Sequence, residues 1–393
     1  MFARVFLTVG LVAIPLALSF IFSTVGNAHE GHDHHEPDTF LVYIGTYTGP
    51  ESEGIYTFEF DRKSGKLTSV NQPAKTSNPS FVAVHPSGDF LYAVNEDAEF
   101  NGEKGGGITS FSIDPETGAL TEINSQCTHG EHPCHLTIDQ TGRTVGVANY
   151  TGGSIAAYRI GRDGALSPAS TFVQHQGKSV HPRQEAPHGH SIDVDPANRF
   201  MAVSDLGIDQ VLIYKMNARK GQLTAHSTVK SEPGAGPRHF SFHPTGKFGF
   251  GINELNMTAN AYRYDARAGR LELLQTVSTL PPGEKQQEGQ STAEMYVHPN
   301  GKFLYGSNRG HNTIVVYGID QKTGKLSYVE NESTGGSTPR SFGVVPTGDY
   351  LLALNQASNT IVVFKIDPGT GALEPTGEEV LCPTPVAAAF LAR

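Results

Sequence analysis

The sequence predicts an all-β fold, a seven-bladed β-propeller whose last blade is closed by strands from both termini. Three observations predict it: a glycine turn repeated seven times at a blade-sized interval, a second hairpin signature in six complete copies, and complementary half-blades at the two ends of the domain.

The first repeat is a turn of the form Asp-x-x-x-Gly-x-Leu that follows an alternating strand. It reads DRKSGKL (61–67), DPETGAL (114–120), NARKGQL (217–223), DARAGRL (265–271), DQKTGKL (320–326) and DPGTGAL (367–373), with a shorter GRDGAL at 161–166. Its glycines, Gly65, Gly118, Gly164, Gly221, Gly269, Gly324 and Gly371, lie 53, 46, 57, 48, 55 and 47 residues apart. A unit of about 51 residues accommodates four short strands and their loops, which is one propeller blade. Glycine recurs because a tight hairpin connection needs positive φ, which other residues reach only at a cost.

The second signature marks another hairpin in each unit: HPSGDFLYAVNE (85–96), DQTGRTVGVANY (139–150), DPANRFMAVSDL (195–206), HPTGKFGFGINE (243–254), HPNGKFLYGSNR (298–309) and VPTGDYLLALNQ (345–356). The seventh copy is split. LVYIGTY (41–47) reads as the second strand of a blade and TPVAAAFLAR (384–393) as the first, so joining them closes the ring and leaves no unpaired edge. The chain has no Trp, which disfavours a WD40 repeat.

Composition agrees with strands and turns: the 393 residues include 44 glycines and 24 prolines, too many for a helical protein of this size. The net charge of −10, with no long basic run, makes nucleic acid an unexpected partner. Residues 1–28 have one basic residue, Arg4, before an apolar run from Val5 to Phe22, with Gly26 and Ala28 at a cleavage-like position. This is a secretory signal pattern, with membrane attachment only if the segment stays uncleaved; either way the domain is expected to be exported, periplasmic or extracellular. The stretch 29–39, beginning HEGHDHHEP, reads as a solvated linker, its histidines and acids being candidate ligands for a soft divalent metal. The propeller then occupies 40–393. Three cysteines, Cys127, Cys134 and Cys382, are too few for a disulfide framework, although Cys127 and Cys134 are candidates for one bridge.

Comparing the repeats with one another separates fold from site. At the end of strand two Asn95, Asn149, Asn253, Asn308 and Asn355 recur, with Ser204 as the exception, and read as turn-capping residues. The next position varies: Glu96, Tyr150, Asp205, Glu254, Arg309 and Gln356. At the start of strand one the variable position is Ser80, Cys134, His190, Arg238, Ala293 and Arg340, followed in places by His135, His239 and Glu294. Both positions border the channel on one face. Three arginines and two carboxylates gathered there form either a salt-bridge network or an anion site.

These residues also carry a resemblance. GHSIDVDP (189–196), SDLGIDQV (204–211), GPRHFSFHPTGKFGFGINEL (236–255), SNRG (307–310) and STPRSF (337–342) are similar to segments of the propeller-type lactonase family, which contains bacterial 6-phosphogluconolactonases and fungal carboxymuconate cyclases. The similarity runs over roughly 40–393. It implies that the site residues are His190, Glu254, Arg238 and Arg309, with Arg340 a further arginine, and that the substrate is a small anionic lactone. The first four are the expected catalytic residues, and Arg340 together with His239, Glu294 and Asp205 from the comparison of the repeats are expected to help bind substrate. His190 is the expected base, Glu254 its orienter or a base itself, and the arginines the anion and oxyanion donors. With no Gly-x-Ser-x-Gly nucleophile and no metal-binding acids at the mouth, no metal or cofactor is expected. One feature departs from the family: phosphogluconolactone is a cytoplasmic metabolite, whereas this chain begins with an export pattern, so an extracytoplasmic sugar lactone or another acid-bearing cyclic ester is expected. Two other readings compete with hydrolysis, a cycloisomerase of the carboxymuconate type and a non-catalytic propeller that holds an anionic ligand.

Overall fold

The computed structural model describes residues 1–3 and 36–393. Residues 4–28 of the leader and 29–35 of the His- and acid-rich stretch, with the cleavage, anchor and metal readings attached to them, lie outside the described residues.

Seven antiparallel sheets of at least four strands, with no α-helix among the described residues, build the ring. In the fourth blade Gly189–Val194, Phe200–Asp205, Gln210–Asn217 and Gln222–Lys230 follow one another from the axis outward. The first strands of successive blades touch each other around the channel. Closure is as the sequence predicts: Pro385–Ala392 forms the inner strand of the first blade and pairs antiparallel with Thr39–Thr46, from Phe40 opposite Ala392 to Ile44 opposite Ala388. An open edge is thereby replaced by a ladder that ties the two ends together.

The repeated motifs turn out to be clips between blades. In the Asp turn, the Asp61 carboxylate accepts the Ser64 N–H at 2.8 Å, and Asp114, Asp320 and Asp367 do the same for Thr117, Thr323 and Thr370. The seven turn glycines have φ between 60° and 79°. Their carbonyls face the preceding blade, where Tyr43, Tyr92 and Tyr305 donate hydroxyls to Gly118, Gly164 and Gly371 at 2.8–2.9 Å. A Cβ on Gly118 would lie 2.4 Å from Leu41, so contact as well as φ demands glycine there. The His-Pro turns act alike: His85, His243 and His298 hydrogen-bond through Nε2 to Gly142, Gly301 and Gly348 of the next blade. Between the clips, aromatic and branched residues of adjacent sheets interdigitate, as Phe303, Tyr305, Phe342 and Phe364 do, each burial contributing roughly 1.5–3 kcal/mol.

The recurring asparagines do cap: Asn308 and Asn355 donate Nδ2–H to the carbonyls of Thr279 and Thr334. The sheet register corrects one alignment. Asp205, not Ser204, sits opposite Gly189, as Asn253 sits opposite Pro237, so Asp205 occupies the asparagine position in its blade and Leu206 the variable one.

Candidate functional site

The channel-facing side chains are aimed by a β-bulge near the start of the inner strand. In the fifth blade Pro237 pairs with Asn253 and His239 with Ile252, which leaves Arg238 as an extra residue. Cys134, His190 and Arg340 are the extra residues at the same place in their blades. A bulge breaks the strict alternation of a strand and so lets two successive side chains approach one site. His239, for example, lies beneath Arg238, its ring 5.3 Å from that of His190 and 5.1 Å from that of His135.

Glu254 is the hub. Its Oε2 accepts Arg238 Nε–H at 2.9 Å, and its Oε1 meets Arg183 Nη1 at 2.7 Å and Arg309 Nη2 at 3.2 Å. His190 Nε2 lies 3.9 Å from Oε2. Arg238, only 1% exposed, also donates to the Ala293 carbonyl at 2.8 Å, and Arg309 donates to that of Thr292 at 2.7 Å. The Arg309 Nε–H is buried and makes no hydrogen bond to the described residues. Across the mouth Arg340 stacks on Tyr47, with its guanidinium carbon 5.2 Å from the ring centre, and sits 3.7 Å from Glu96. Tyr47 and Ser80 both donate hydroxyls to that carboxylate.

One layer deeper His239 Nδ1 bonds Glu294 at 2.6 Å, and Ser341 and the Met295 N–H donate to the same carboxylate. His135 stacks on Phe81 at 4.0 Å. Below this layer the channel widens into a cavity of about 390 Å³ lined by Phe81, Asp193, Phe240, Tyr296 and Phe342; it does not reach His190, Arg238 or Arg309.

The charges are strongly set. Burial pushes Glu254 upward but is overcome by Arg309, Arg238 and Arg183, which hold its carboxyl at about 2. Glu294 is held at about 2 against burial by His239, Arg238 and His135. Burial, then Arg238, His239 and Arg340, keep His190 well below 6.5, so its imidazole is neutral at neutral pH. Burial and the cation-rich surroundings lower Arg238 to about 10. Two acid windows follow for stability. Below 6.5 the unfolded chain takes up protons that folded His190 and His135 refuse, so stability falls as pH drops from that point. Below 4.5 the stabilisation from ionised Glu254 and Glu294 is lost on the way down to about 2. Urea midpoints measured across this range are expected to decline in two steps, and replacing His190 with Asn should make the first step shallower, with His135 and the buried His239 still contributing to it.

Of the eight residues singled out by sequence, His190, Arg238, Glu254, Arg309 and Arg340 gather at the mouth, with His239 and Glu294 directly beneath. Asp205 is not brought among them. It is 0% exposed, its Oδ2 bonded to His175 Nδ1 at 2.6 Å and its Oδ1 to the His188 and Gly207 N–H groups, where it caps the short turn Leu206–Ile208. The candidate disulfide is also absent: Cys127 and Cys134 are free thiols, the latter 3.6 Å from His190 Nδ1. Sequence reasoning missed Arg183 and Tyr47. Arg183 belongs to the 3₁₀ turn Pro182–Gln184 and also donates to the Tyr150 hydroxyl at 2.9 Å. The signal was present in the longest glycine interval, the 57 residues from Gly164 to Gly221, where that loop is inserted.

Residues 41–390 match the family described as "Lactonase, 7-bladed beta-propeller". The chain is 35% identical to the 6-phosphogluconolactonase of Bacillus subtilis over 303 residues, covering 77% of this chain and 84% of that protein. It is likewise 35% identical, over 310 residues, to the 6-phosphogluconolactonase of Formosa agariphila, covering 77% and 86%. Among solved structures, the periplasmic gluconolactonase of Pseudomonas aeruginosa superimposes with a TM-score of 0.83 at 33% identity, covering 90% of this chain and 99% of that one.

Proposed function

Because the chain belongs to the seven-bladed β-propeller lactonase family and is an enzyme of lactonase type, we propose that it hydrolyses an anionic sugar lactone at the mouth built around Glu254, with His190 as the base. One observation carries this reading. Four guanidiniums, of Arg183, Arg238, Arg309 and Arg340, gather at a mouth whose carboxylates are those of Glu254 and Glu96, and two of them, Arg238 and Arg340, act on a neutral imidazole. An excess of positive charge beside an unprotonated base suits a substrate that is itself an anion and reacts through an oxyanion.

The steps follow from the groups present. Arg183, 46% exposed, and Arg340 meet the substrate's carboxylate or phosphate first. His190 Nε2 takes a proton from water as the water oxygen adds to the lactone carbonyl. The spare N–H groups of Arg309 and Arg238 stabilise the resulting oxyanion, each such donor being worth about 3 kcal/mol. As the intermediate collapses, the ring C–O bond breaks and the imidazolium returns its proton to the leaving alkoxide. An imidazolium whose pKa is held low by burial and by the neighbouring cations is a good acid for that last step. Glu254, pinned near 2, keeps its charge throughout and serves to hold three arginines rather than to carry protons. No metal is required in this scheme.

The leader-like residues 1–28 and the likeness to a periplasmic gluconolactonase support an extracytoplasmic substrate. The test is ring opening by the purified full chain, followed by acid release, with gluconolactone-type substrates with and without a phosphate. Turnover of at least one, lost in Arg309→Met, supports the proposal. Tight binding of anionic lactones without turnover overturns it in favour of a ligand-holding propeller.

A further inference from the structure

We propose that Glu103, Cys127 and His129 form a zinc site on the rim of the propeller, separate from the catalytic mouth. Their ligand atoms, one carboxylate oxygen, one sulfur and one ring nitrogen, all lie within 4.8 Å of one another. Zinc takes this mixture of thiolate, imidazole and carboxylate, and a tetrahedral ion held by three protein groups leaves its fourth position to water.

Two segments of the chain are brought together to build the cluster. Glu103 sits on the small hairpin formed by Glu99–Phe100 and Glu103–Lys104, and Cys127 ends the outer strand Leu120–Cys127. Backbone bonds lock the two: Gly106 N–H donates to the Gly130 carbonyl and Thr128 N–H to the Gly106 carbonyl, at 2.9 and 2.8 Å. His129 is held in the left-handed region at φ 57°, a conformation a histidine adopts at a cost, and its ring rests edge-on against Phe172. Its backbone N–H donates to Cys127 Sγ at 3.3 Å, the kind of outer contact that supports a thiolate bound to metal. The neighbouring Lys104 ammonium turns away to Glu131 at 3.2 Å, and among the described residues no cation pairs with Glu103. A carboxylate and a sulfur are thus held side by side with no positive charge between them, and a divalent ion supplies it. Binding displaces the thiol proton, so one proton is released as the Zn–S bond forms.

The His- and acid-rich stretch 29–39 offers a competing place for metal, so the readout must be specific to sulfur. Cobalt(II), replacing zinc in the full chain, reports thiolate ligation by an intense sulfur-to-cobalt charge-transfer band that imidazole and carboxylate do not give. Cys134 and Cys382 are buried and lie outside the cluster, which leaves Cys127 as the sulfur in question. The band is expected in the wild type, titratable by one equivalent and displaced by Zn²⁺. It should vanish in Cys127→Ser, and the cobalt affinity read from it should fall at least about ten-fold in His129→Ala and Glu103→Gln. A wild-type chain with no such band, or a Cys127→Ser chain that keeps it, overturns the proposal whatever the lactonase assay shows.

Discussion

Replacing Glu254 with glutamine is expected to cost the fold about 3–5 kcal/mol, the range for removing one partner of a buried ion pair. The reason is local: Arg183, Arg238 and Arg309 all converge on this one carboxylate, and Arg238 is 1% exposed and cannot turn to water. The amide keeps a hydrogen-bond acceptor but not the charge, so three guanidiniums repel one another in a desolvated place. Arg183, on its exposed turn, can swing out; Arg238 and Arg309 are tied to the carbonyls of Ala293 and Thr292 and stay. The variant should therefore unfold at lower urea concentration. Phosphate or sulfate should restore it more than chloride at equal ionic strength, because a multivalent anion can take the carboxylate's place among the arginines. Lactone hydrolysis should fall at the same time through loss of the donors' alignment. A Glu254→Gln chain as stable as the wild type would show that the arginines are held by something else.

The ring was legible in the chain because its devices are local and repeated. An Asp that caps its own turn and a glycine at positive φ recur whether or not the blades have yet assembled. The split seventh hairpin also announced which end supplies which strand. Much of the mouth was legible for the opposite reason: positions that break the repeat, such as His190, Arg238 and Glu254, have no role common to every blade. What escaped was of two kinds. Asp205 replaces the recurring asparagine with another capping residue, and an alignment shifted by one residue made a structural acid look like the counterpart of Glu254. Tyr47 stands in the split copy at the position of Glu254, since Thr46 pairs with Pro385 as Asn253 pairs with Pro237, but the comparison used only the six complete copies. Arg183 lies on a segment without a counterpart in the repeat, and only the three-dimensional ring brings that 3₁₀ turn over the carboxylate of Glu254.

Replacing His190 with asparagine is expected to lower kcat by about 10²–10⁴-fold with little change in KM or stability, the usual range for losing a general base. No neighbour can take over. Glu254 is held near 2 by Arg309, Arg238 and Arg183 and accepts no proton near neutrality. Burial pushes the Cys134 thiol far up, so it supplies no thiolate. Instead that thiol orients the ring: it lies 3.4 Å from the His190 carbonyl, to which its S–H donates, which leaves sulfur as the acceptor for Nδ1–H at 3.6 Å. The lone pair then sits on Nε2, which lies 3.9 Å from Glu254 Oε2. The pH profile distinguishes this base from any other. Because burial, Arg238, His239 and Arg340 keep the imidazole well below 6.5, the wild-type rate should hold steady through that pH and decline only in more acid solution. Arg340→Met removes one of those cations, so its acid limb should move toward higher pH while the His190→Asn residual rate shows no such limb. An acid limb that stays in place when Arg340 is neutralised would mean the titrating base lies elsewhere.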